Sequence, residues 1–270
     1  MVRALLLAAV FFGSGLGWEL TVVFTTDLHT AVARLGEFRE VFLRADLVLD
    51  GGDAWEDTRR PTGEAEAWET MRAMAALGYT AMVLANHETY LGPRVLSRIL
   101  AETPFAVLAT NLRAPLPTKP WALVEVKGLR VLLLGVLWDL AIVWPGWELL
   151  DPGEALEAAL AAAPPHDLFI LLGHLDLRRA QDLVRRLSKK PALFVLGHNH
   201  RVFREPLYVE GVPIVQAGSH GKALGVVRLG PEGVRAYEVL QPREALPLGV
   251  PASAFAALGL FFVLAVLWQA

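Results

Sequence analysis

Between Glu19 and Leu240 the chain alternates short apolar runs with amphipathic stretches. Leu20–Thr26, Asp46–Asp50, Thr80–Ala85, Phe105–Thr110, Asp167–Leu172 and Ala192–Leu196 are brief runs rich in Val, Leu and Phe, which suits buried strands. Val32–Arg44, Gly63–Leu77, Pro93–Ala101, Pro152–Ala162 and Leu177–Leu187 read as helices between them. Two of these carry Pro near their start, and Asp151 stands where a capping side chain belongs. Trp121–Val126 and Leu129–Val136 straddle Lys127-Gly128, the pattern of a hairpin. The last runs, Val212–Gln216, Leu224–Leu229 and Val234–Val239, follow one another without a helix. Alternation followed by strands alone predicts an α/β layered sandwich with mixed sheets. No repeat, low-complexity segment or linker divides the body, so residues 18–245 read as one domain.

The two ends differ from the body. Met1-Val-Arg3, an apolar run from Ala4 to Phe12 and the small residues Gly13 to Gly17 form a secretory signal pattern over residues 1–17. Residues 246–270 carry no charge and are long enough to cross a bilayer, so they read as a C-terminal transmembrane anchor. Together the ends predict an exported protein held at the cell envelope or periplasmic face. The charge flanking the anchor gives that orientation no support, because Arg243 precedes the segment and no cation follows it.

Composition narrows the chemistry. The chain has 270 residues, formal net charge -3 and no cysteine. Thiolate metal sites, disulfides and a Cys nucleophile are excluded. The mildly acidic balance gives no general attraction to nucleic acid, and none is expected as a partner. Hydrophobic residues make up 54% of the chain, enough for a large core even after the two ends are set aside.

The candidate chemistry sits at the ends of the predicted strands. After Thr26 comes Asp27-Leu-His29; after Leu49, Asp50-Gly-Gly-Asp53; after Leu84, Ala85-Asn86-His87-Glu88; after Leu172, Gly173-His174; after Leu196, Gly197-His198-Asn199-His200. In open α/β sheets the carboxyl ends of strands are where sites form. Five of the seven histidines fall in these segments. A single His or Asp at a strand end is unremarkable; their conjunction points to metal. Carboxylate, imidazole and amide donors without thiolate suit Mn, Fe, Zn or Co, with Mn favoured.

These segments resemble the five signature motifs of the calcineurin-like metallophosphoesterases. More narrowly, residues 20–240 are similar to the N-terminal catalytic domain of bacterial 5′-nucleotidases and their thiosulfohydrolase relative, through Leu84-Ala-Asn-His-Glu88, Ala109-Thr-Asn-Leu112 and Val215-Gln-Ala-Gly-Ser-His-Gly-Lys-Ala-Leu-Gly225. The resemblance implies a four-layer α/β/β/α sandwich and two divalent metal ions. One would take Asp27, His29, Asp53 and His200; the other would take Asp53, Asn86, His174 and His198. His87 would serve catalysis near the leaving group. The implied reaction is hydrolysis of a nucleotide or other small phosphoester, by water activated between two cations about 3.5–4 Å apart.

Beyond a mild change, Ala85 where family members usually have Gly, the chain departs from that pattern in two ways. Nucleotidase relatives carry an acid three positions after the catalytic His, and here that position is Tyr90. Orientation of His87 would then fall to Glu88 or Tyr90. The apolar segment that follows residue 245 leads us to expect no counterpart of the domain that grips base and ribose in the nucleotidases. A non-catalytic metal-binding accessory protein and a thiosulfohydrolase-like sulfur-ester hydrolase therefore stand beside the phosphoesterase reading.

Other segments invite weaker readings. Ser219-His220-Gly-Lys222 is either a turn or a substrate-facing anion site, and Asn111 serves a turn or supports the site. Trp138, Trp144 and Trp147 flank Pro145-Gly146 and either pack beneath a loop or form a lid. Arg59-Arg60 and the basic run Arg185-Arg186 with Lys189-Lys190 raise phosphate tracking, although a solvated helix face explains the latter better.

Overall fold

The computed structural model describes residues 17–57 and 63–242. The signal segment apart from Gly17, Arg59-Arg60 and the anchor at 246–270 lie outside the described residues. Among the described residues no helix is long and apolar enough to cross a membrane.

In chain order the strands are β1 Leu20–Thr25, β2 Leu47–Asp50, β3 Ala81–Val83, β4 Ala106–Leu108, β5 Leu112–Arg113, β6 Trp121–Val126 and β7 Leu129–Leu137. They continue as β8 Glu148–Leu149, β9 Leu168–His174, β10 Leu193–Gly197, β11 Leu207–Val209, β12 Val212–Val215, β13 Leu224–Gly230 and β14 Gly233–Leu240. The α-helices are α1 Arg39–Leu43, α2 Glu64–Ala76, α3 Gly92–Glu102, α4 Pro152–Ala162 and α5 Leu177–Arg186. Two six-stranded sheets form, ordered β14-β13-β1-β2-β3-β4 and β11-β12-β10-β9-β7-β6, with β5 and β8 paired separately. Strands β1 to β4 run parallel, as do β7, β9, β10 and β12, while β13, β14, β6 and β11 join antiparallel.

Side-chain alternation divides the core into three apolar layers. Val22, Phe24, Leu47 and Leu49 of the first sheet meet Leu133, Ile170, Leu172 and Val195 of the second. On the opposite face of the first sheet, Val23, Val48 and Met82 pack against Trp68, Met71, Leu96 and Ile99 of α2 and α3. Leu134, Phe169, Leu171 and Phe194 pack against Leu156 of α4 and Leu183 of α5. The result is the four-layer α/β/β/α sandwich. Asp151 caps α4 by accepting from the backbone N–H of Gly153 and Glu154 at 2.9 and 3.0 Å.

One local expectation changes, and several short elements lie outside the sequence reading. The stretch read as one helix over Val32–Arg44 is a 3-10 helix at Val32–Phe38 followed by the single turn α1. Val32, Leu35 and Phe38 recur every third residue and all are buried, a spacing that stacks on one edge of a 3-10 helix. His87–Leu91 is also a 3-10 turn. The β5–β8 pair and edge strand β11 were too short to read from periodicity.

Of the three tryptophans in this loop, Trp144 and Trp147 pack inward while Trp138 stays exposed. Trp147 is buried, Trp144 donates from Nε1 to the Thr89 carbonyl at 2.9 Å, and Ile142 N–H donates to Thr89 Oγ1 at 3.0 Å. This loop braces the turn that carries His87. Asn111 braces too, spanning Leu137 and Leu150 through its amide. The basic residues at α5 are paired to acids, Arg185 to Asp182, Arg186 to Asp151 and Lys190 to Glu210.

Candidate metal centre

The parallel strands of both sheets deliver their carboxyl ends to one rim of the sandwich. Asp27 and His29 follow β1, Asp53 follows β2, Asn86 and His87 follow β3, His174 ends β9, and His198 and His200 follow β10. Two glycines let these segments approach. A Cβ at Gly197 would stand 2.3 Å from the Gly51 carbonyl oxygen, and one at Gly52 would stand 2.9 Å from Nδ1 of His174. Side chains at either position would push His174 out of its slot between the sheets.

The backbone at this rim is strained. Asp27, His29, Thr30, Asp53, His198, His200 and His220 all have positive φ. Among the described residues only Lys127 and Glu210 share that trait outside glycine. Left-handed backbone costs a non-glycine residue on the order of 1 kcal/mol or more. The surrounding ladder over-determines it: Asp27 N–H donates to Gly52 O, His29 N–H to Asp53 O, and Thr30 N–H to Ala54 O, at 3.0, 2.9 and 2.8 Å.

Ligand atoms of Asp27, His29 and His200 lie within 4.8 Å of one another, as do those of Asp27, Asp53 and His174. Asp53 Oδ2 stands 3.0 Å from His174 Nε2 and 3.8 Å from His87 Nε2. His29 Nε2 and His200 Nε2 are 3.1 Å apart, and His200 Nε2 is 3.6 Å from Asp27 Oδ1. The His198 ring meets that of His174 edge-on at 5.1 Å between centroids. Asp27, Asp53, His29 and His174 are buried, and His200 forms the exposed rim.

Orientation of the imidazoles is set from behind. His174 Nδ1 donates to the Gly51 carbonyl at 2.8 Å, and His29 Nδ1 donates to the Glu56 carbonyl at 2.8 Å. Carbonyl acceptors fix the proton on Nδ1 and leave Nε2 facing the centre, the arrangement that metal-ligating histidines use. Asp27 Oδ2 and Asn86 Oδ1 are buried without a hydrogen-bond partner. Such orphaned acceptors cost folding free energy unless something satisfies them. An unsatisfied oxygen on Asp27, a residue grouped with His29 and His200 and with Asp53 and His174, fits a divalent cation.

Electrostatics fit as well. Burial pushes the Asp27 carboxyl up to about 7. Burial alone would raise Asp53 too, but the charge of His174 outweighs it and holds Asp53 well below the usual carboxylate range. Burial works against protonating His174, yet Asp53 and Asp27 push it up to about 10. The His174–Asp53 pair thus holds a proton that an incoming cation would displace. Burial lowers His29 and His198, which favours their neutral, ligating form.

The carboxylate beside His87 is neither of the two expected groups. Oε1 of Glu88 accepts from Ala54 and Trp55 N–H and its Oε2 from Ala85 N–H, at 2.7, 3.0 and 3.1 Å. Glu88 is wholly buried and ties the loop after β2 to the loop after β3. Tyr90 is largely exposed and meets the His87 ring only edge-on, at 5.6 Å between centroids. Glu56 instead places Oε2 at 2.9 Å from His87 Nδ1. Sequence reasoning missed Glu56 because it lies in an irregular loop outside every motif. Its position three residues after Asp53 was the one available signal.

Beside the centre lies a cleft of 510 Å³ lined by His29, Thr30, Arg34, Asp57, His220 and Lys222 among others. His220 stacks on His29 at 4.7 Å and its N–H donates to the Asp27 carbonyl at 2.8 Å. The segment Ser219 to Lys222 therefore faces the site.

Comparison with known proteins places this geometry among relatives. The chain is 32% identical to human 5′-nucleotidase over 288 residues, which cover 83% of this chain and 49% of that protein. It is 27% identical to the bovine 5′-nucleotidase over 293 residues, covering 84% of this chain and 49% of that protein. Among solved structures, a 5′-nucleotidase precursor from Thermus thermophilus superposes with a TM-score of 0.71 at 28% identity, over 83% of this chain and 55% of that one. The chain spans about half the length of the curated relatives it matches. No protein-family model matches it.

Proposed function

We propose, from the premise that this chain belongs to the calcineurin-like metallophosphoesterases and shares the fold of the 5′-nucleotidase N-terminal domain, that it hydrolyses small phosphoesters at a two-cation centre. The observation that carries the reading is Asp53. Its ligand atom lies close to those of Asp27 and His174, one donor assigned to each ion. A carboxylate between a donor of each ion is what a bridged cation pair requires. Asp27, His29 and His200 would complete one ion, and Asn86, His174 and His198 the other. Bound divalent cations would supply Lewis acidity toward a phosphoryl oxygen and a lowered pKa for water.

The chain's own groups do the rest. Glu56 holds the proton of His87 at Nδ1 and leaves Nε2 turned toward Asp53. In hydrolysis a water oxygen would join phosphorus as the ester P–O bond breaks, and the proton the water loses would pass through His87 Nε2 to the departing alkoxide. The backbone N–H of His87 donates to Asp53 Oδ1 at 2.9 Å, which ties the proton donor to the shared carboxylate. Tyr90 is one of the two motives for the accessory-protein reading, and Glu56 supplies at His87 the carboxylate that Tyr90 lacks. That contact supports turnover. Export and membrane attachment remain part of the proposal on the strength of the two apolar ends alone.

Release of phosphate from p-nitrophenyl phosphate and nucleoside monophosphates in the presence of Mn tests the reading. Activity that Asp53→Asn abolishes is expected. No release from any ester by metal-loaded protein overturns it.

A further inference from the structure

Beside the candidate metal centre two cations face a cleft. One wall is the His29 ring, and the others carry Arg34 from the 3-10 helix and Lys222 from the loop between β12 and β13. The two segments are locked together. Arg34 Nη1 donates to the His220 carbonyl at 3.3 Å, and His220 N–H holds the Asp27 carbonyl. Gly221, at φ 61°, sits so close that a Cβ there would meet the Ala31 carbonyl oxygen at 2.8 Å and Arg34 Cβ at 3.2 Å. Both cationic side chains are exposed and line the same cleft, and neither makes an ion pair among the described residues. Asp57 also lines the cleft, but it is buried at the wall while Arg34 and Lys222 stand at the surface. The cleft therefore presents two cationic side chains at its surface, with the Asp57 carboxylate set back beside His29 and His220, to a molecule that already touches His29. The walls also include Ala31 and Ala33, which give a short carbon chain an apolar surface.

We propose that Arg34 and Lys222 form a second-anion subsite. The preferred substrate is then a phosphoester whose alcohol carries a further phosphate or carboxylate, joined by a short carbon spacer. The inference rests on the phosphoesterase reading and names the substrate class for that site.

The test reads binding, not turnover. Mn-loaded full-length protein is titrated calorimetrically with methylphosphonate, with ethylene, propylene and butylene diphosphonates, and with 3-phosphonopropionate. At least one two-anion probe is expected to bind about tenfold tighter than methylphosphonate, the scale of one or two charge-assisted contacts. That advantage should vanish in Arg34→Gln with Lys222→Gln, while methylphosphonate affinity stays the same. Which probe gains most distinguishes phosphate from carboxylate as the second group. Equal affinity for all probes, or an advantage that survives both substitutions, overturns the subsite and leaves the metal-centre reading standing. Failure of every probe to bind overturns both.

Discussion

Oε2 of Glu56 stands 2.9 Å from Nδ1 of His87, while the carbonyl of the same glutamate accepts from Nδ1 of His29 at 2.8 Å. One residue thus aims two imidazoles, one through its side chain and the other through its backbone. The two roles separate under mutation. Glu56→Gln keeps the carbonyl and loses the charge, so kcat for ester hydrolysis should fall about 10- to 100-fold with bound metal unchanged. Steady-state kinetics beside elemental analysis checks this, and undiminished kcat would remove Glu56 from the mechanism.

Tyr90 should matter little by comparison. Its ring is 46% exposed and touches His87 only at the edge. Tyr90→Phe is expected to change kcat/KM by no more than about twofold, the scale of an exposed substitution. A loss as large as that of Glu56→Gln would show the hydroxyl orienting His87 after all.

The contrast between Glu56 and Glu88 shows what could be read from the chain alone. Strands and their terminal acids and imidazoles were legible because burial imposes apolar runs, and the donors follow each run at once. Asp151 was legible because a cap precedes a Pro at the first helical turn. The role of Glu88 was not, because adjacency to His87 in sequence says nothing about direction. The chain turns into a 3-10 helix at His87, and the Glu88 side chain points back into the molecule. Glu56 was invisible because its partner stands thirty-one residues away in a different loop.

Glu88 should prove structural in the strict sense. It answers three buried backbone N–H groups that nothing else satisfies among the described residues. Glu88→Ala strands all three, at roughly 1–3 kcal/mol each before relaxation. Urea denaturation in chelator should show a loss of at least about 3 kcal/mol. A loss under about 1 kcal/mol would mean water replaces the carboxylate.

The pH dependence of stability follows from the buried pairs. His174 is raised from 6.5 to about 10, so its stabilisation is complete below pH 6.5 and disappears as pH rises through 10. Asp27 is raised from 3.8 to about 7, so the folded state also holds that proton more tightly than the unfolded chain between those values. Both effects make metal-free protein less stable as pH climbs from about 4 to 10, by up to ~1.4 kcal/mol per pH unit per proton. Asp53 acts oppositely, but only below its ordinary range, where acid removes the pair. Melting temperature in chelator should therefore fall from pH 6 to pH 9. With saturating Mn it should rise over the same interval, because cations displace protons. Parallel curves would refute the assignment of His174 as a ligand.

Occupancy gives a direct check on the shared carboxylate. Wild-type protein should bind two divalent ions per chain, and Asp53→Asn should bind at most one at the same free metal concentration. Stoichiometry unaffected by Asp53→Asn would show that the ions do not share it.

Strand β1, the first among the described residues, lies between β2 and β13 in its sheet. A polypeptide leaving the ribosome must hold that strand half-paired until Leu224 to Gly230 has been made, and its open flank invites mispairing meanwhile. Asp27 likewise waits for His198, whose backbone N–H donates to its Oδ1 at 2.8 Å. Ion capture then requires synthesis to have passed His200, since a product ended earlier has a partial chelate and one raw sheet margin to show to proteases.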